Sequence, residues 1–125
     1  MTEPQSVARA RVAVIAAAEK KGSDLAVLDV GEVLSIIDLF VLASASNARQ
    51  VRTIVEEVEQ ALTEHDGSKP ISVEGKADAS WVLLDYGDIV VHVFLDETRA
   101  YYDLDRLWGD VPRIEVDVPV SQAAT

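Results

Sequence analysis

Apolar residues along this chain change period several times, and each change marks a new element. Val51, Ile54, Val55, Val58, Ala61 and Leu62 recur at three- and four-residue spacing, one face of a helix, with Glu56, Glu57, Glu59 and Glu64 opposite. Asn47 followed by Gln50 predicts its N-cap, and His65-Asp66-Gly67 its end. An earlier helix is predicted over Gln5–Lys21, with Val7, Ala10, Val14, Ala17 and Ala18 on its apolar stripe. Lys20 and Lys21 suit its negative C-terminal end, and Gly22 stops it. Asp24–Val30 reads as a strand and Gly31–Ile37 as a turn with one helical loop. Leu39–Ala43 reads as an apolar strand buried on both faces.

Beyond the second helix, Lys69-Pro70 is a loop, Ile71–Val73 a short edge strand and Glu74–Asp78 a polar turn. Trp81–Asp85 and Ile89–Leu95 are β-rich runs around Tyr86-Gly87-Asp88, which predicts an antiparallel hairpin with a two-residue loop, Tyr86-Gly87 or Gly87-Asp88. Side chains alternate faces along a strand. One face therefore carries Trp81, Leu83, Asp85, Val90, His92 and Phe94, the other Val82, Leu84, Val91, Val93 and Leu95. The second set is wholly aliphatic and must be core; the first mixes an indole, a carboxylate and an imidazole, as a recognition or catalytic surface does. Helix, two strands, helix and three strands predict an α/β single domain, a mixed sheet of about five strands covered by helices. Residues 1–109 form that domain; residues 110–125, where Pro119 interrupts an alternating apolar run, are expected to be a mobile tail.

Composition narrows the function classes. The 125 residues include no cysteine, which excludes disulfides, thiolate metal sites and thiol catalysis and fits a cytoplasmic protein. The apolar stretch Val12–Ala18 is too short for a membrane span. A formal net charge of −11 repels phosphate backbones, so no direct nucleic acid contact is expected, and it favours encounter with a basic protein.

Three constellations resemble chemical sites. Asp85, Asp88 and His92 are a conceivable ligand set for a metal-dependent phosphoesterase or nucleotidyltransferase, although Asp is favoured in turns for backbone reasons and a lone His is usually packed and hydrogen-bonded. Asp103-Leu104-Asp105 has the carboxylate spacing of phosphoryl transfer but lies in a helix with Leu107 and Trp108, with no glycine-rich phosphate loop before it. Ser44 and Ser46 lack a nucleophile's glycine-flanked setting and read as helix caps. No cofactor is expected. Trp81 reads equally as a core indole under a helix or as an interface anchor. Glu74, Lys76, Arg99 and Tyr102 are candidates for a polar rim around it, with Arg99 alternatively bridged to Asp96 or Asp103. Tyr101 and Trp108, at helical spacing with Leu104, are expected in the core.

The order and spacing of several of these residues resemble the ribosomal silencing factor family, also called RsfS or Iojap. Ile37–Ser46 with Arg49-Gln50-Val51 matches its aspartate-led strand, small-residue turn and helix start. Glu74-Gly75, Trp81, Asp85, Gly87-Asp88, Val91-His92-Val93, Arg99, Tyr102 and Leu107-Trp108 follow in register. The likeness runs from about Val7 to Gly109, with Ala45 where the family usually has Gly and Asp105 where Glu is usual. The resemblance implies a nucleotidyltransferase-like layout without the catalytic motif and no enzymatic activity. It implies a translational repressor that binds the large ribosomal subunit through ribosomal protein fourteen, blocks subunit joining under starvation or in stationary phase, and is a homodimer when free. It also moves Trp81 from core indole to anchor, with Glu74, Lys76, Asp85, His92, Arg99 and Tyr102 around it.

Overall fold

The computed structural model describes residues 4–118. Its elements are α1 (Pro4–Glu19), β1 (Ser23–Asp29), α2 (Gly31–Leu34), β2 (Leu39–Ala45), α3 (Ala48–Asp66), β3 (Ser72–Glu74), β4 (Trp81–Asp85), β5 (Ile89–Leu95), α4 (Asp96–Tyr101) and α5 (Leu104–Leu107). The five strands form one mixed sheet in the order β1-β2-β5-β4-β3, parallel between β2 and β5 and antiparallel elsewhere. This is the α/β architecture the periodicities predict. No helix among the described residues is long and apolar enough to cross a membrane.

Parity divides the core. Val27, Leu39, Val41, Ala43, Val82, Leu84, Val91 and Val93 face α1 and α3 and are buried with Val51, Ile54, Val55, Val58 and Leu62, each valine, leucine or isoleucine side chain contributing about 2 kcal/mol. Ala26, Leu28, Phe40, Leu42, Val90 and Phe94 face the opposite way, into a smaller cluster with Leu104 and the half-buried Trp81, Leu83 and Trp108. Every residue of β2 is buried, because it is central and covered on both sides.

The long helix ends as its sequence requires. Asn47 Oδ1 accepts from Gln50 N at 2.8 Å, and Gly67 closes the helix at φ +77°. Gln50 also donates to the Lys20 and Lys21 carbonyls at 3.1 and 3.0 Å, giving the end of α1 acceptor partners. Ser46 bonds the Gln50 amide oxygen through both N and Oγ, but Ser44, expected as a cap, is fully buried at the end of β2.

The buried stripe of α1 is Ser6, Arg9, Ala10, Ala13, Val14, Ala16 and Ala17, rotated from the expected one so that Val7 and Ala18 are only half-buried. The cause is polar. Arg9 bonds Asp88, lies 3.0 Å from Asp66 and 5.5 Å above the Tyr86 ring, while Ser6 Oγ lies 2.9 Å from Asp38 and 2.7 Å from Asp88. These contacts tie α1 to the end of α3, the start of β2 and the hairpin turn.

The segment after Gly109, expected from Pro119 to be a tail, makes specific contacts within residues 110–118. The Pro112 carbonyl accepts from Asp29 N at 2.8 Å, Ile114 N donates to the Val27 carbonyl at 2.9 Å, and Ile114, Val116 and Val118 pack against the core. The alternating apolar residues find an open edge at β1, and Pro119 itself lies outside the described residues.

Candidate functional site: the Trp81 face of the hairpin

The hairpin register makes Tyr86 and Ile89 the closing pair, so the loop is Gly87-Asp88. Gly87 has φ +94° and Asp88 keeps a negative φ, the pattern of a type II′ turn, and Asp85 Oδ1 accepts from Gly87 N at 2.8 Å. Trp81 then faces Phe94, Leu83 faces His92 and Asp85 faces Val90. On β5 these residues are buried; on β4 all three are half-buried. Gly75 (φ +83°) lets the preceding turn pass against Trp81, where a Cβ would meet the Trp81 carbonyl at 2.1 Å.

Trp81 is held from several sides. Its Nε1–H donates to His92 Nδ1 at 3.1 Å, and its ring centroid lies 5.2 Å from Phe94 and 5.8 Å from Tyr102. Because Nδ1 accepts, the imidazole proton belongs on Nε2, which is buried without a hydrogen-bond partner. Burial lowers the His92 pKa to about 4, so the ring is neutral at pH 7. Stacked on Phe94 and edge-on to Phe40, His92 is 7% exposed and meets no surface itself. What reaches solvent is the indole it pins, next to Leu83, Asp85 and the 57%-exposed Tyr102.

The match over the whole chain decides the family. Residues 3–125 match the model described as "Ribosomal silencing factor during starvation", RsfS. The chain belongs to the RsfS family. Ribosomal silencing factor RsfS of Bacillus subtilis is 35% identical over 112 residues, covering 90% of this chain and 94% of that protein. The protein of the same name from Halalkalibacterium halodurans is 37% identical over 111 residues, covering 89% and 94%. A crystal structure of a Chromobacterium violaceum protein has a TM-score of 0.77 and 31% identity over 99% of this chain and 100% of that one.

In this RsfS-family chain the expected site residues separate into three groups. Glu74 is exposed opposite Leu83, on the same sheet face as Trp81 and Asp85, and Tyr102 touches Trp81. Lys76 is elsewhere: its Nζ lies 3.8 Å from Glu59 of α3, so it reaches toward the helices on the other side of the sheet. Arg99 is corrected more strongly, being 5% exposed rather than at a rim. Its Nε and Nη2 bond both Asp105 oxygens at 3.2 and 2.8 Å, and Nη1 donates to the Asp24 carbonyl at 2.8 Å and Ser44 Oγ at 2.7 Å. The reason is a register shift in β1 between Ser23 and Ala26, with Asp24 at φ +48° and its carbonyl turned to Arg99. That guanidinium holds the Asp105 carboxyl below its usual pKa. The partner is Asp105, not Asp96 or Asp103.

Tyr101, expected in the core, is 81% exposed. Asp103 takes a left-handed φ of +51° and breaks the helix into α4 and α5, so the 101–104–108 spacing is not one helical face. The Asp85, Asp88 and His92 set does not assemble either, because Asp88 is turned to Ser6 and Arg9 of α1 on the other side of the sheet. Among the described residues no three His, Cys, Asp or Glu side chains are grouped to hold a metal. The Arg9 network was missed because an Arg in an Ala-rich helix, here one of two with Arg11, reads as a surface residue; its i, i+3 spacing from Ser6 was the available signal.

Proposed function

We propose that this chain silences ribosomes by obstruction: it binds the large subunit where the small one must approach, under starvation or in stationary phase. Family membership over residues 3–125 carries the reading. Its supporting geometry is an indole immobilised by His92, Phe94 and Tyr102 and half-open to a partner. A rigid, partly apolar plate with polar neighbours is hot-spot anatomy. Trp81 anchors, Asp85, Glu74 and Tyr102 flank it, and His92 and Arg99 act from inside by positioning. Ribosomal protein fourteen is the contact that the resemblance implies, and the net charge of −11 favours a basic partner. No bond is made or broken; the protein acts in the cytoplasm and is a homodimer when free.

Co-sedimentation with isolated large and small subunits tests this. The chain should travel with the large subunit alone, and Trp81→Glu, still folded by circular dichroism, should not. Normal binding by the variant overturns the assigned face; binding to neither subunit overturns the function.

A further inference from the structure

Tyr101 stands at the end of α4, and its ring centroid is 5.0 Å from that of Tyr102, edge to face at 88°. Tyr102 in turn lies 5.8 Å from Trp81. Three aromatic rings therefore run in a row from the sheet face onto the helix. Their exposure increases outward, from half-buried Trp81 through Tyr102 at 57% to Tyr101 at 81%. A tyrosine that open buries little in its own chain, so its contribution to the fold is small.

The surrounding charge indicates what the row receives. Between residues 96 and 107 the chain has four carboxylates, Asp96, Glu97, Asp103 and Asp105, against two arginines. Both arginines already face carboxylates: Arg99 is buried on Asp105, and Arg106 lies 3.8 Å from Asp103. Electron-rich faces in an acidic field favour a cation stacked over the ring, and a guanidinium does this better than an ammonium because it is planar and weakly hydrated.

We infer that Tyr101 and Tyr102 form a platform for an arginine or lysine side chain of the protein partner, extending the Trp81 face across α4. The inference rests on the partner-binding reading above and adds the chemistry of the contact. It is tested on the intact chain in two arms. In the first, the tyrosine ring resonances are followed by NMR during titration with a hexa-arginine peptide and with a hexa-serine control. In the second, large-subunit affinity is measured for wild type, Tyr101→Ala and Tyr101→Phe. The expected result is that hexa-arginine alone shifts the Tyr101 and Tyr102 rings. Tyr101→Ala then weakens subunit binding about tenfold with an unchanged melting temperature, and Tyr101→Phe, which keeps the ring, stays within about twofold. Wild-type affinity in Tyr101→Ala overturns the platform, as do arginine-induced shifts confined to the acidic face of α3; both leave the silencing reading intact. If wild type does not bind the subunit, the silencing reading fails instead, and the peptide arm alone decides the platform.

Discussion

Trp81 and His92 face the same side of adjacent strands and share one hydrogen bond, Nε1–H to Nδ1 at 3.1 Å. That bond uses the acceptor of a neutral imidazole whose Nε2 is left buried and unpaired. The residue that presents the indole thus carries an unpaired polar atom within an aromatic cluster, against which stand its hydrogen bond to Trp81 and its ring contacts with Phe40 and Phe94.

Replacing His92 with Leu tests that balance. It removes a hydrogen bond worth about 1 kcal/mol and a buried orphan donor that costs about 1–3 kcal/mol. Urea unfolding at pH 8 should therefore show stability unchanged or raised by about 1 kcal/mol, while the Trp81 indole N–H exchanges faster and large-subunit binding weakens. A loss above about 2 kcal/mol would mean that Nε2 has a partner.

Acid should destabilise the protein in a window set by the same residue. Its folded pKa of about 4 lies below the ordinary 6.5, so between these values the unfolded chain binds the additional proton. The associated stability is fully present above pH 6.5 and is lost as pH falls toward 4, amounting to about 3 kcal/mol. Asp66, bonded by Ser68, and Asp105, bonded by Arg99, have lowered pKa values and respond below the ordinary carboxylate value of 3.8. Urea midpoints at pH 7.5 and 4.5 should differ strongly in wild type and much less in His92→Leu; equal differences would contradict the assignment.

Arg99→Lys should not behave as a conservative change. A lysine lacks the fork that serves Asp105, the Asp24 carbonyl and Ser44 together, and its ammonium would be left partly unpaired at a buried position. A loss of about 3 kcal/mol in urea unfolding is expected, with altered Trp81 fluorescence as α4 and Tyr102 shift. A variant within 1 kcal/mol of wild type would show that the network contributes little.

Ending the chain at Gly109 should lower stability by about 2–3 kcal/mol, through the lost cover of Ile114, Val116 and Val118 and two backbone hydrogen bonds. It also opens the β1 edge, so species larger than those of the intact chain should appear on sedimentation. Identical melting and mass would make residues 110–125 dispensable.

What the sequence determined by itself is what depends on local period and turn chemistry. The stripe of α3, its Asn47 and Gly67 caps, the apolar run of β2 and the hairpin parity that puts Trp81 and His92 on one face are each encoded within a few neighbouring residues. Tertiary structure decided the fate of the long polar side chains. Arg99 could be assigned to a rim because nothing near it in sequence shows the shifted register of β1 that draws its guanidinium inward, and Arg9 is buried only because Asp66 and Asp88 converge on it from α3 and the hairpin turn. The same holds at the termini of elements: Asp103 breaks a helix that spacing alone would continue, freeing Tyr101, and residues 110–118 find hydrogen-bond partners and apolar cover at an edge of β1 that exists only after the sheet has formed. Hydrophobic periodicity is a property of the chain, whereas the partner of a buried charge is a property of the fold, since only the assembled layers bring its acceptors within reach.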